Sequence, residues 1–162
     1  MVVAYDPAWA DRYEQESALI AGALSELVVG IEHVGSTAVP GLVAKSIVDV
    51  MVGVRQLSDG KRCIAPLDNV GYEYRGDGGF PNHLFWRKGD PRQVHLHMVE
   101  HENDFWREHV SFRDKLRASQ ELIQEYAALK KRLAHTYHHE KQAYTDAKGP
   151  FIQAVLERAR RG

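Results

Sequence analysis

Residues 33–54 read HVGSTAVPGLVAKSIVDVMVGV, and this stretch decides the fold. Its second half is the clearest strand in the chain, Ser46 to Val54. The even positions Val48, Val50, Val52 and Val54 are all β-branched, and the odd ones are Ile47, Asp49, Met51 and Gly53. Side chains of a strand alternate between faces, so one face is core and the other presents Asp49. A carboxylate set into a valine-rich strand is costly unless something pairs with it, which makes Asp49 a candidate functional group. Upstream, a short strand Ile31–Val34 ends in Gly35-Ser36-Thr37, followed by a segment punctuated by Pro40 and Gly41. Gly35 lets a phosphate approach the backbone. Ser36, Thr37 and the first N–H groups of a following short helix are suited to phosphate oxygens, with Lys45 adding positive charge. The same residues also fit a tight turn in which Ser36 caps a helix and Asp49 is paired at the surface.

Outward from this stretch, Asp6-Pro7 reads as a helix start. Trp9, Tyr13, Ile20, Leu24 and Leu27 then recur at helical spacing, predicting a helix over about 7–28 that Gly30 ends. Gln56–Asn69 fits a second helix. Gly71–Arg75, His83–Arg87 and Gln93–Val99 read as strands separated by the turns Gly76-Asp-Gly-Gly and Lys88-Gly-Asp-Pro. From about Asn103 the pattern is helical, with stripes Phe105, His109, Phe112, Leu116 and Leu122, Tyr126, Leu129, Leu133. A last helix starts at Gly149-Pro150 and buries Phe151, Ile152 and Val155. Strands first and helices later predict an α+β fold: a mixed sheet with an N-terminal helix and a helical C-terminal layer.

The whole chain of 162 residues is the size of one domain, 1–162. It is 44% hydrophobic and 27% charged, with a net charge of −1. This balance argues against the broad basic surface needed for duplex DNA. Cys63 is the one cysteine, which excludes an internal disulfide framework and a four-cysteine zinc site. It falls in a helix candidate and reads as structural. The most apolar window, Ala18–Ile31, is shorter than the roughly 20 residues of a membrane span, and the N-terminus lacks a basic leader, so a soluble cytoplasmic protein is expected.

Histidine is the unusual count: nine in all, five of them between His83 and His109. Histidine both titrates near neutral pH and ligates metals. His95 and His97 are two apart in a strand candidate and so share a face. His33 and His83 are further cleft candidates. Arg87 shares a strand face with His83 and Phe85. His97, Glu100 and His101 do not have the helical two-histidine spacing of zinc proteases, and His138-His139 reads as a solvated turn. The Gly76-Asp-Gly-Gly loop is suited to a lid beside a cleft, and equally to a plain turn.

The ordered segments Tyr5-Asp-Pro-Ala-Trp9, Glu32 to Gly41, Lys45-Ser-Ile-Val-Asp49, His95-Leu-His97, Phe112-Arg-Asp114 and Ala143-Tyr-Thr-Asp146 with Lys148 resemble the GrpB-like family. That family is described as predicted nucleotidyltransferases, with relatives fused to dephospho-coenzyme A kinase domains. The resemblance implies a nucleotidyltransferase-like fold, in which Gly-Ser is followed by Asp-x-Asp on the next strand. It also implies a nucleotide or phosphorylated small molecule as ligand. Arg113, Lys130 and Lys148 match recurrent family positions and are candidate phosphate contacts beside Arg87. Asp49 aligns with the first carboxylate, but Met51 stands where the second belongs, and methionine is a poor ligand for a hard cation. In that fold a third carboxylate comes from a later strand beside the Asp-x-Asp strand. If Gln93–Val99 takes that place, Asp49, His95 and His97 converge on a divalent metal (Mg, Mn or Zn) and form the catalytic group. Two alternatives stand beside metal-dependent nucleotidyl or phosphoryl transfer: a binding module of the same fold without turnover, and a metal-dependent hydrolase.

Overall fold

The computed structural model describes residues 2–136 and 149–157. Helix α1 (Ala8–Leu24) is followed by a 3₁₀ turn, Ser25–Leu27, and by strand β1 (Gly30–Val34). A second 3₁₀ turn, Ser36–Ala38, opens the connection to β2 (Val48–Val54). Then come 3₁₀ turns over Leu57–Cys63, α2 (Ile64–Asn69), β3 (Glu73–Tyr74), β4 (Leu84–Lys88) and β5 (Val94–Glu100). Helices α3 (Asp104–Ala118) and α4 (Gln120–Thr136) follow, and 149–157 is helical. The strands form a five-stranded sheet in the order β1-β2-β5-β4-β3. β2 and β5 are parallel neighbours, and every other pair is antiparallel. The architecture is therefore the mixed α+β arrangement that the sequence predicts. No helix among the described residues is long and apolar enough to cross a membrane.

The alternation read in β2 divides the molecule. Its valine face joins Leu96, Met98 and Trp86 under Ile20 and Leu24 of α1 in the main core. The opposite face is closed by α3, whose Trp106 packs with Val34, Met51 and Val99. Gly53 and Gly30 leave a flat patch where a Cβ would come within 3.0 Å and 3.1 Å of the Trp106 ring. α4 adds a third apolar cluster, Val39, Leu42, Leu116, Ile123 and Tyr126, over the connection between β1 and β2.

Several boundaries differ from the sequence reading. α1 ends four residues before position 28 and passes through a 3₁₀ turn, and Gly30 begins β1 instead of closing the helix. The segment 56–69 is α-helical only from Ile64. Pro66 has no N–H to give a preceding turn and is tolerated in the first turn of a helix, which places the α-helical start beside it. The predicted strand 71–75 shrinks to Glu73–Tyr74. Asp6 does accept the Ala8 N–H at 2.9 Å, and Asn103 caps α3 by accepting from the Trp106 N–H at 2.9 Å. Lys148 and the His138-His139 pair lie outside the described residues.

His33 is not a cleft residue. It points to the α1 side of the sheet, stacked on Tyr13 with ring centroids 4.7 Å apart and hydrogen-bonded through Nε2 to the Thr37 hydroxyl at 2.9 Å. Burial pushes its pKa down to about 4, and the Asp49 charge offsets this only in part. The ring is therefore neutral in the fold, whereas the unfolded chain protonates near 6.5. The stability it contributes is whole above pH 6.5 and is lost as pH falls toward 4. Urea midpoints at pH 7.5 and pH 4.5 should differ less in His33→Gln than in the wild type. The difference should be up to about 3 kcal/mol, at about 1.4 kcal/mol per pKa unit. An identical pH dependence in both would refute the assignment.

Candidate metal centre

Parallel pairing of β2 with β5 sets Asp49 opposite His95 and Met51 opposite His97. All four side chains share the face that looks toward α3. Asp49 Oδ1 accepts from His97 Nε2 at 2.9 Å and lies 3.7 Å from His95 Nδ1, a charge contact beyond hydrogen-bond range. The three side chains are 19–28% exposed, so the cluster is sheltered yet open to solvent. Burial alone would raise the Asp49 pKa. The close contacts of His95 and His97, with the hydrogen bond from His97, outweigh it and hold the carboxyl well below the usual carboxylate range. One donor atom from each residue lies within 4.8 Å of the other two. Small side-chain rotations bring such a set to the ~2.1 Å bond radius of a common cation. Two imidazoles and one carboxylate suit zinc, manganese or iron(II) better than magnesium. Among the described residues, His95 Nε2 is buried without a hydrogen-bond partner.

A fourth residue completes the arrangement. His83 is buried, at 2% exposure, and its Nε2 lies 3.0 Å from His97 Nδ1. Its Nδ1 donates to the Asp77 carbonyl at 2.7 Å. Sequence spacing does not reveal this link, because His83 precedes β4 and meets His97 only across the β4–β5 ladder. The register Phe85↔His97 and Arg87↔His95 brings that end of β4 to the site. Phe105 of α3 lies over both rings, with centroids 5.0 Å from His83 and 6.1 Å from His97. His109 stacks on Phe105 at 3.9 Å, and burial pushes its pKa down.

The predicted phosphate contacts are placed differently. Gly35 has φ +77°, and a Cβ on it would lie 2.5 Å from Asp49 Oδ2, so its open space receives the protein's own carboxylate. Ser36 Oγ accepts from Lys130 Nζ at 2.7 Å, and Lys130 also donates to the Val43 carbonyl at 2.9 Å. Thr37 is buried against His33. Arg113 is buried, donating to Glu32 at 2.7 Å, to the His33 carbonyl at 3.0 Å and to Asp114 at 3.0 Å. Arg117, which the sequence reading passed over, donates to the Ala38 carbonyl at 2.8 Å. These cations bind the helical layer to β1 and to the loop after it. Arg87 lies beside His95 and donates to Glu73 at 3.2 Å. Lys45 is exposed just before β2. Cys63 is buried and its pKa is pushed up to about 11, chiefly by burial, consistent with a structural thiol.

The family model described as GrpB protein matches residues 1–158. The glutamate-rich protein GrpB of Alkalihalophilus pseudofirmus is 34% identical over 162 residues, covering 96% of this chain and 93% of that protein. The UPF0157 protein YqkA of Bacillus subtilis is 30% identical, covering 99% of this chain and 47% of YqkA, so the chain spans about half the length of that relative. The crystal structure of GrpB from Enterococcus faecalis superposes with a TM-score of 0.89 at 32% identity, covering 98% of this chain and 96% of that one.

Two outcomes are expected of this geometry. Gly35→Ala forces a side chain into a left-handed conformation and against Asp49. It should cost about 1–3 kcal/mol in a thermal melt and weaken cobalt(II) uptake, and wild-type values for both would contradict the geometry. The three hydrogen bonds linking Asp77, His83, His97 and Asp49 need three N–H hydrogens, one more than two neutral imidazoles carry. A cation on His97 Nε2 would take the place of one of them and leave the others satisfied. Histidine ligates as the neutral ring, so cation uptake should weaken as pH falls. Uptake unchanged as pH falls would contradict histidine ligation.

Proposed function

The chain belongs to the GrpB family, and we propose that it binds one divalent cation at Asp49, His95 and His97 and uses it in phosphoryl or nucleotidyl transfer on a nucleotide or another phosphorylated small molecule. The observation that carries this reading is the convergence of the three donors on one sheet face, with His97 and Asp49 already in contact at 2.9 Å. A nucleotidyltransferase-like organisation is supported by the Gly35-Ser36 loop, the Asp-bearing strand that follows, and a parallel neighbour strand that adds ligands.

A divalent ion held there supplies charge neutralisation for phosphate oxygens and a bound water of lowered pKa. The chain's own groups do the rest. Asp49 stays ionised at neutral pH because its histidine neighbours favour the charged form. His97 is aimed by its contact to His83. Arg87, beside His95, places a guanidinium on the same face, where a phosphate can exchange with Glu73 as its partner. Phe85 and Phe105 wall the histidines with apolar rings that limit water around them. In this reading catalysis is mostly positioning and charge stabilisation.

A second reading has water as the acceptor and asks for no second carboxylate, whose place Met51 takes. Met51 is fully buried where a second carboxylate would stand. Glu32, opposite it in β1, is engaged by Arg113. One cation with a bound water is the arrangement of a metal-dependent hydrolase.

The test is a thermal-shift screen of nucleotides and coenzyme A precursors with and without Mg²⁺, Mn²⁺ and Zn²⁺, followed by phosphorus NMR on the ligands that shift. A ligand at ~100 times its Kd should stabilise by about 2.7 kcal/mol. Asp49→Asn and His97→Ala should abolish the metal-linked part. Transfer to an organic acceptor supports the first reading and release to water the second. Metal-linked shifts that survive both substitutions would sink the site, and binding with neither metal dependence nor turnover would mark a binding module.

A further inference from the structure

The loop 76–82 between β3 and β4 reaches back over the metal centre, as its hydrogen bonds show. The Asp77 carbonyl accepts from both the Phe80 N–H at 3.2 Å and His83 Nδ1 at 2.7 Å. The Asp77 carboxylate accepts from the Gly79 N–H at 2.8 Å and so tightens the same turn. Gly78 sits at φ +63°, and a Cβ there would come 3.0 Å from Phe85 Cβ and 3.2 Å from His83 Cε1. Phe80 stands edge-on to His83 at 5.4 Å and to Phe105 at 6.1 Å. His83 is thus buried among apolar rings, and both its nitrogens have partners: a main-chain oxygen on one side and His97 on the other.

We infer that His83 is a positioning residue of the metal centre, and that the glycine-rich loop, through the Asp77 carbonyl, holds His97 in the orientation that turns its Nε2 toward Asp49. The inference rests on the reading that Asp49, His95 and His97 hold a cation. The atoms leave one consistent arrangement for it. A carbonyl only accepts, so His83 Nδ1 carries hydrogen toward Asp77 and its Nε2 is free to accept. His97 Nδ1 then donates to His83, which leaves His97 Nε2 as the ligating lone pair. A ligating histidine whose far nitrogen donates to a fixed acceptor is both oriented and made more basic, and losing that acceptor typically costs 10–100-fold in metal affinity. The loop supplies no ligand itself. It acts by holding His83, and displacing the loop loosens the metal site without touching any ligand.

Cobalt(II) is the probe, titrated into the full chain by calorimetry and by its visible absorption bands, with circular dichroism melts alongside. His83→Ala should bind cobalt about 10–100-fold more weakly and with shifted bands. His83→Gln, whose amide oxygen can accept from His97, should recover part of the affinity. Gly78→Ala keeps every histidine but crowds His83, and it should weaken binding in the same direction. A folded His83→Ala with wild-type affinity and bands overturns the inference. If that variant does not fold, wild-type affinity and bands in both His83→Gln and Gly78→Ala overturn it instead. A wild-type chain that takes up no cobalt defeats the proposed function itself. Loss of binding in Asp49→Asn with none in the His83 and Gly78 variants defeats only the positioning role.

Discussion

The parallel pairing of β2 with β5 is the constraint on which the rest depends. It runs from Val48↔Val94 to Val54↔Glu100 without a break. On one face it buries Val48, Val50, Val52, Val54, Leu96 and Met98. A slip of one residue would exchange faces along the whole strand, placing valines toward α3 and Asp49 in the main core. The apolar face therefore fixes the register, and the register alone brings Asp49, His95 and His97 together. The chemistry of the site follows from how the core packs.

The helical layer secures the other side of that arrangement with cations, two of which, Arg113 and Lys130, are buried. Arg113 bridges α3 to Glu32 and to the His33 carbonyl, Arg117 reaches the Ala38 carbonyl, and Lys130 of α4 holds Ser36 and the Val43 carbonyl. Removing one member of such a set leaves a buried partner unsatisfied, so these residues are constrained by folding whatever the ligand. The loop after β1 is thereby held where Gly35 makes room for the Asp49 carboxylate. Gly35 of that loop thus helps to position an acid.

Much of this was legible in the sequence because it depends on period and neighbour. The alternation of β2 reveals the core face and marks Asp49, and His95 with His97 share a face by spacing of two. Residues that act through tertiary contacts were not legible. His83 finds His97 only across a ladder whose register no local pattern encodes. Lys130 sits in the buried stripe of α4 with Ile123, Tyr126 and Leu133, where a charged residue contradicts the apolar period until Ser36 and Val43 are seen to receive it. His33 is a cleft candidate in the sequence, yet strand alternation sends it to the face opposite Asp49, against Tyr13. The α-helical start at Ile64 depended on Pro66 and was masked by an otherwise helical composition.

The proposed site is a single divalent cation on the sheet face next to α3, between Asp49, His95 and His97. Anomalous diffraction at the zinc edge, from crystals grown with stoichiometric zinc, tests it most directly. One strong peak is expected between those three side chains, with His83 still bridging His97 to the Asp77 carbonyl. A peak elsewhere, or none at full zinc loading of the solution, would contradict it.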